Sequence, residues 1–256
     1  MSPAEEQFSL TFKRFLKSWT VINSFRQVAH AGLPLAEKMT ALMYSQFVER
    51  VTANPEYDRI FIKKQKFLDD GGAKWLLEGM TKQAIVNARA SVDAASLIFA
   101  HSILDDSAWS YCEVTALAQP EDWEPYIENK KVEFKLVKER KYEDLLKEAV
   151  EKRLKQLRNE SLLEKADMLH KVCKPPANFA PLNNYAYDRD RLEILDEARH
   201  RVVHGDSLGE TLPNIESDLE YIGKTVNYFM GLVNERYGIQ IDPLILISPR
   251  EPFKNS

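Results

Sequence analysis

A short basic segment in the last third of the chain holds the residues best suited to chemistry. Arg199, His200, Arg201 and His204 place two arginines and two histidines within six positions. Histidine takes and gives protons near neutrality because its unperturbed pKa is about 6.5, and the arginine fork matches phosphate oxygens. These side chains could supply the acid, the base and the cation that cleavage of a phosphodiester requires.

The spacing of these residues on a helix limits how they can act together. At 100° per residue, His200 and His204 share one face, so that one ring can orient the other. Arg199 and His204 differ by about 140°, and a substrate that touches both must lie across the end of the helix. Gly205 follows directly, where a C-terminal helix cap belongs.

Three interpretations of this segment stay open on the residues alone. Basic side chains near a helix C-terminus interact favourably with the helix dipole. This interaction alone would account for the residues, without any catalytic or binding role. His200 and His204 could bind a metal, but His-Glu-x-x-His is absent and the third ligand would have to be His170 or a distant carboxylate. The third interpretation is metal-independent ribonuclease chemistry, with His204 as general base or acid on the ribose 2′-hydroxyl and Arg199 holding the phosphate.

The composition restricts the class of protein. The 256 residues are 44% hydrophobic and 29% charged, which predicts a soluble globular chain rather than a disordered or membrane one. Nine glycines are few for a many-stranded barrel and favour helices. The net charge of -4 argues against a general nucleic-acid binder, so any contact with a polyanion must be local. Two cysteines without Cys-x-x-Cys spacing favour a reducing, cytoplasmic compartment.

Apolar periodicity predicts an all-α fold that begins with two helices. The first covers Glu5 to Arg26 with one buried face, and Asn23 to Gly32 is predicted as its frayed end and a turn. Its apolar residues recur at steps of three and four: Phe8, Phe12, Phe15, Trp19 and Ile22. The second covers Leu35 to Val51 and stops near Asn54-Pro55. Its apolar residues are Met39, Leu42, Met43, Phe47 and Val51.

The remaining elements are predicted from breakers and periodicity. One long helix follows the glycine pair at positions 71 and 72. The predicted helical segments are Trp75 to Leu117, Lys130 to Lys171, Asp188 to His204 and a last helix that begins after Leu212-Pro213 and ends at Gly238. The predicted loops are Gln119 to Pro125 and Lys174 to Tyr187, and Ile239 to Ile247 has strand-like character. The domain division is an N-terminal helical extension at 1–72, a helical bundle at 73–238 and a C-terminal tail at 239–256.

Two further groups of residues bear on the basic segment. Lys130 to Lys171 contains 13 Lys or Arg and nine Asp or Glu, and is either a solvated helical face or a track for a polyanion. His101, Asp105 and Asp106 lie on the long helix. In an antiparallel bundle this helix could bring a carboxylate near Arg199 or His200 to support it. The alternative is that these three residues are ordinary polar residues on an exposed helix face.

The pattern Arg199-His200-x-x-x-His204 at the end of a late helix resembles the Arg-polar-x-x-x-His signature of the HEPN superfamily (higher eukaryotes and prokaryotes nucleotide-binding). This resemblance implies an all-α HEPN-like helical bundle and an endoribonuclease without metal or other cofactor. Arg199 and His204 would be the catalytic pair, and His200 would position the histidine. Asp206 would support the site, and it stands where some members carry a tyrosine two residues after the histidine.

The resemblance also implies partners. Two protomers of similar proteins pair so that both motifs face one composite cleft, which predicts a homodimer and products with a 2′,3′-cyclic phosphate. RNA is expected to bind through Arg201 and the segment from Lys130 to Lys171. A toxin or antiviral role implies an antitoxin or a regulatory protein, and no membrane partner is expected. The alternative function is a catalytically silent helical scaffold for dimerisation or partner binding.

Overall fold

All regular secondary structure in the described part of the chain is helical. The computed structural model describes residues 1–55, 66, 71–127, 141–176, 179, 187–204 and 214–247. The α-helices are α1 (Pro3–Ala53), α2 (Gly72–Trp75), α3 (Thr81–Ala118), α4 (Tyr142–Leu157), α5 (Leu162–Cys173), α6 (Arg189–His204), α7 (Ile215–Tyr237) and α8 (Pro243–Ile247). A π-helical turn, Leu76–Met80, joins α2 to α3, and a 3-10 helix, Pro120–Tyr126, follows α3. The predicted all-α class is confirmed.

Helix α1 corrects the prediction of two N-terminal helices. It is a single helix of 51 residues that continues through the expected turn at Asn23 to Gly32 and through Pro34. Its start is fixed by a capping box between Ser2 and Glu5. A proline in a helix interior costs about 3 kcal/mol relative to alanine and a glycine about 1 kcal/mol, but α1 packs along α3, and this tertiary contact outweighs both local preferences.

Helix α3 runs through the middle of the bundle and confirms the long helix predicted from Trp75 onward. It packs against α1, α5, α6 and α7. Small residues at its buried positions let neighbouring helices approach closely: Ala90, Ser96, Ala100, Ser107, Ala108 and Ala116. Tyr111 is fully buried among them and packs against Phe8 of α1, with ring centroids 5.8 Å apart.

The later helices follow the sequence expectations closely. The predicted segment from Lys130 to Lys171 contains α4 and all but the last two residues of α5. The two helices are separated where Ser161 caps α5 through a capping box with Glu164. Helix α7 ends at Gly238, whose φ of 66° is the left-handed conformation that glycine adopts readily. The predicted loop at Gln119 to Pro125 contains the 3-10 helix instead.

The strand-like expectation for Ile239 to Ile247 is wrong. Residues 243–247 form α8, which lies against the first half of α1. Lys13 Nζ donates to the Ile245 carbonyl oxygen at 2.9 Å, and the Asp242 amide donates to Ser9 Oγ at 2.9 Å. A strand needs a partner strand for its backbone groups, and the described residues contain none, so this apolar segment satisfies its backbone by a helical turn.

The molecule has two parts that differ in burial. One hydrophobic core joins the first half of α1 to the second half of α3 and to helices α4 to α7. We call this part the base; it comprises residues 3–26, 93–127, 141–176, 187–204 and 214–247. We call the remaining helical part, residues 27–53 and 72–92, the arm. Among the described side chains of the arm, Val51, Thr81 and Ala90 are the buried ones.

Candidate catalytic site at the end of α6

Helix α6 is anchored to the base by one apolar face. Leu192 and Leu195 are buried, and Ala198 and Val202 pack against the core from the following turns. This face fixes the rotation of α6, so that the basic segment in its last two turns projects from a rigid element. Arg201 is exposed on the outer side of the helix.

His200 and His204 lie together on the exposed end of α6. Their ring centroids are 4.2 Å apart at an interplanar angle of 56°, which confirms that the two residues share a face. Both side chains are exposed. Each ring restricts the orientations open to the other, and both remain accessible to a ligand from solvent.

Arg199 is half-buried beside this pair. Its Nε is buried and donates to no acceptor in the described part of the chain. A buried donor on a cation that lacks an acceptor carries a desolvation penalty of about 1–3 kcal/mol or more. An anion at the guanidinium would offset this penalty by charge-assisted hydrogen bonding, so the arginine is suited to a phosphate.

Helix α3 brings a histidine to α6. His101 is buried, and its Nε2 lies 2.8 Å from Asp196 Oδ1 of α6. Burial lowers the pKa of His101 below its usual value; the Asp196 carboxylate opposes this shift and the Arg199 cation adds to it. The lowered pKa favours the neutral form of His101 at physiological pH, beside the Asp196 carboxylate.

The two carboxylates expected to support the basic segment have other neighbours. Asp105 accepts from Lys165 Nζ at 2.7 and 2.8 Å. Burial raises the pKa of Asp106, the neighbouring Asp105 carboxylate raises it further, and the Arg14 guanidinium lowers it. Asp106 lines a groove between α1 and α3, away from α6.

Asp196 is the residue that sequence reasoning missed. It precedes Arg199 by three positions, so both project from the same side of α6. That spacing was visible in the sequence, but its pairing with His101 depends on how α3 crosses α6. Asp206, the other residue expected to support the site, lies outside the described residues.

One of the two third ligands considered for the metal interpretation, His170, has other partners. His170 Nδ1 lies 2.8 Å from the Ala166 carbonyl oxygen and its Nε2 lies 3.0 Å from Tyr228 Oη. A carbonyl only accepts, so Nδ1 carries the proton and Nε2 accepts from the tyrosine hydroxyl. Within the described ranges no three His, Cys, Asp or Glu side chains are grouped so that they could hold a metal ion.

Several cations of the proposed RNA track are engaged within the protein. Residues 141–171 of this track are described. Lys165 is buried on Asp105, Arg153 binds Glu160 with its Nη2 at 3.2 Å from Oε2, and the guanidinium of Arg158 lies 4.7 Å from the centroid of the Trp109 ring. These contacts leave fewer cations available to bind a polyanion in this part of the segment. Lys147, Lys155 and Lys171 are exposed.

A large groove in the described part of the chain lies away from α6. A groove of about 790 Å³ runs between α1 and α3 in the base, and no histidine lines it. A smaller hollow of about 370 Å³ lies between α6 and the start of α7, where Ala198 and Asn214 line it. We place the candidate site at the end of α6 because acid–base side chains, and not volume, determine which bond can be broken there.

Comparisons of the chain with protein-family models, with curated proteins and with solved structures give no match. Across the described residues, no helix combines the length and the apolar character needed to span a bilayer. The function must therefore be argued from the side chains of α6 and their neighbours.

Proposed function

We propose that the protein is a metal-independent endoribonuclease of the HEPN type that acts through the end of α6. The observation that carries the proposal is the contact between the exposed rings of His200 and His204 beside the half-buried guanidinium of Arg199. Acid–base groups and a cation with unused hydrogen-bonding capacity are what cleavage of an RNA phosphodiester needs at neutral pH.

The reaction assigns a role to each residue. His204 removes the proton from the ribose 2′-hydroxyl, whose oxygen attacks the adjacent phosphorus. Arg199 stabilises the negative charge that builds on the phosphate oxygens, and His200 holds the ring of His204 in position. The bond from phosphorus to the 5′-oxygen breaks, that oxygen takes a proton from water, and His204 returns its proton to the solvent. The products are a 2′,3′-cyclic phosphate and a 5′-hydroxyl.

A second protomer completes the site in this proposal. Arg199 and His204 point about 140° apart around α6, so that one helix end does not enclose a phosphate between them. Two copies of α6 facing each other would place an arginine of one motif opposite a histidine of the other. The exposure of His200 and His204 leaves them accessible for such a composite cleft.

The biological role proposed for this activity is that of a cytoplasmic toxin or antiviral defence effector. Unrestrained cleavage of RNA harms the cell that produces the enzyme. The proposal therefore includes an antitoxin or a regulatory protein as a partner. RNA would reach the site through Arg201 and other exposed cations near it.

The experiment that tests this proposal is RNA cleavage by the purified protein in excess chelator. We expect wild-type protein to cut RNA, and Arg199→Ala and His204→Ala each to lower the rate by at least about 100-fold. Glu197→Ala on the exposed side of α6 is the matched control and should cut normally. Cleavage that chelator abolishes, or equal cleavage by all variants, would contradict the proposal.

The second candidate function is a silent scaffold, and the exposed apolar face of the arm favours it. Leu35 and Met43 are 66% and 67% exposed on α1, which is unusual for a face that binds nothing. Expression in a host separates the two candidates. Toxicity of the wild-type gene that His204→Ala removes supports the nuclease, whereas equal tolerance of both supports the scaffold.

A further inference from the structure

A line of exposed apolar side chains follows α1 from the base into the arm. We call it the α1 seam; its members are Val21, Phe25, Val28, Leu35, Met39, Leu42 and Met43. Their exposed fractions lie between 43% for Phe25 and 74% for Val28. The face of α1 that contacts α3 is a different one, marked by the buried residues Ile22, Arg26 and Val51.

The α1 seam has the spacing of a coiled coil. From Val21 to Leu42 its members are separated by four, three, seven, four and three residues. Apolar residues that alternate in steps of three and four make a seam to which a second helix packs along its whole length. The pattern thus favours a helical occupant over an irregular one.

Four members of the seam are also symmetric about Gly32. Val21 and Met43 each lie eleven positions from this glycine, and Phe25 and Met39 each lie seven. A side-chain Cβ placed at Gly32 would meet no atom within 4 Å, so the glycine faces open space. An antiparallel copy of α1, related by a two-fold axis at Gly32, would set Val21 against Met43 and Phe25 against Met39, and the missing side chain would let the two backbones approach closely.

In such a pair, the groove in the base of one copy receives the arm half of the α1 seam of the other copy. Val21 and Phe25 line the groove between α1 and α3 together with Phe99 of α3. In the antiparallel arrangement Met39 and Met43 of a second copy lie over this groove. Methionine is flexible and fills irregular apolar gaps well, so the two halves of the seam are complementary in shape as well as in position.

Area and charge favour a second copy over a membrane. Seven exposed side chains at about 100 Å² each give on the order of 700 Å² per protomer, close to the roughly 800 Å² per partner of a standard interface. The segment from 21 to 50 carries few charges: Arg26, Glu37, Lys38, Glu49 and Arg50. Arg26 is bound to Glu216 at 2.6 Å. An interfacial membrane helix would need a strongly basic polar face, which α1 lacks.

We propose that two copies of this chain pair in antiparallel fashion along the α1 seam, with the two-fold axis at Gly32. The interface consists of α1 and the edge of the groove beside it and does not include α6. It is a second contact between copies, separate from the pairing of two α6 ends in the proposed function, and it stands or falls independently of that pairing.

Cysteine cross-linking tests the position of the axis. The natural cysteines Cys112 and Cys173 are buried, so a new surface thiol reacts without their interference. Gly32→Cys is expected to give a disulfide-linked dimer under mild oxidation. Asn23→Cys is the control, because nine residues turn it about 180° away from Gly32 and its side chain is exposed. Failure of Gly32→Cys to cross-link, or equal linking of both variants, would overturn the proposal.

A second pair of variants tests the direction of pairing. Val21→Cys combined with Met43→Cys should cross-link between chains, whereas Val21→Cys alone should not. The two positions are 22 residues, or about 33 Å, apart along α1, so that no disulfide forms within one chain. A dimer that forms with Val21→Cys alone would show parallel pairing and contradict the symmetry about Gly32.

Sedimentation of the full chain measures the association itself. We expect wild-type protein to associate through the seam at micromolar concentration and Met39→Glu to weaken this association at least tenfold, whether or not the separate pairing at α6 forms. Lys38→Glu is the control, because it adds negative charge one residue away and off the seam. Circular dichroism checks that both variants keep their helices, and Arg199→Ala should leave the dimer unchanged. A wild-type monomer, or a Met39→Glu dimer of unchanged strength, would refute the interface.

Discussion

The two halves of α1 have the same apolar spacing and opposite burial. In the base, Phe8 and Phe15 are 1% and 5% exposed, whereas in the arm Leu35 and Met39 are 66% and 53% exposed. Apolar periodicity therefore identifies the face of a helix that avoids water, but not the surface that covers it. In the base this surface is α3 and its neighbours; in the arm we propose that it is a second copy.

This difference in burial also predicts that the base and the arm differ in how they unfold. The base contains the contiguous core, with Trp123 and Leu104 fully buried, so it should unfold as one cooperative unit. The arm has few buried side chains and should open locally at lower free energy. Variants in the two halves of α1 are therefore expected to behave differently although their chemistry is alike.

The largest expected effect comes from removing a buried aromatic ring in the base. Phe8→Ala should lower the free energy of unfolding by about 3–5 kcal/mol, because it opens a cavity against Tyr111. Met39→Ala in the arm should change it by less than about 0.5 kcal/mol at concentrations where the chain is monomeric. Urea denaturation of both variants measures the two changes in the free energy of unfolding. Equal losses would show that the arm is covered within the chain and would remove the distinction.

The junction between base and arm gives the next largest effect. Arg26 donates to Glu216 at 3.0 and 2.6 Å and to Asp93 at 3.4 Å, and Asp93 is buried. Arg26→Ala would leave this carboxylate without its strongest cation and should cost about 2 kcal/mol. Hydrogen exchange should show faster opening of residues 27–53 than in the wild type. Unchanged exchange in the arm would mean that the junction does not hold it.

The pH dependence of stability should come from the base. Burial lowers the pKa of both His101 and His170 below the usual value. Between each folded pKa and about 6.5 the unfolded chain binds more protons, so the free energy of unfolding falls as the pH drops, by at most about 1.4 kcal/mol per pH unit for each histidine.

Urea denaturation between pH 7.5 and 6 measures this fall, and His170→Gln should reduce its slope. The raised pKa values of Asp106 and Glu113 act in the opposite direction at lower pH, which is why the range stops at 6. Stability that increases as the pH falls within this range would contradict the neutral state inferred for the two histidines.

The smallest global effect is expected from the proline inside α1. Pro34→Ala restores a backbone donor in the arm, where a proline costs up to about 3 kcal/mol of local helix stability. Hydrogen exchange of residues 35–53 should slow, while the denaturation midpoint of the base stays within error. A large rise in that midpoint would show that arm and base unfold together.

The sequence predicted the elements of the base better than those of the arm. Helix α7 and its end at Gly238 followed from apolar spacing and a glycine cap, which are local signals. The turn predicted at Asn23 to Gly32 was wrong because Gly32 and Pro34 weaken a helix locally, while packing against α3 decides the outcome over the whole length. The strand expectation at Ile239 to Ile247 failed because composition does not supply a partner strand.

The contacts of the candidate site that lie within one helix could be predicted from the sequence, whereas those between helices could not. The i, i+4 spacing of His200 and His204 fixed their contact in advance, and the structure confirms it. The pairing of His101 with Asp196 could not be predicted, because it depends on the rotation of α3 against α6. For the same reason Asp105 was expected near α6 but pairs with Lys165 of α5.

The most direct test of the central claim, that α6 carries ribonuclease chemistry, is a comparison of one RNA with its 2′-deoxy counterpart in excess chelator. We predict that wild-type protein and His200→Asn cut the RNA and leave 2′,3′-cyclic phosphate ends, that neither cuts the DNA, and that His204→Asn cuts nothing. Cleavage of both nucleic acids, or cleavage of the RNA by His204→Asn at the wild-type rate, would contradict the claim.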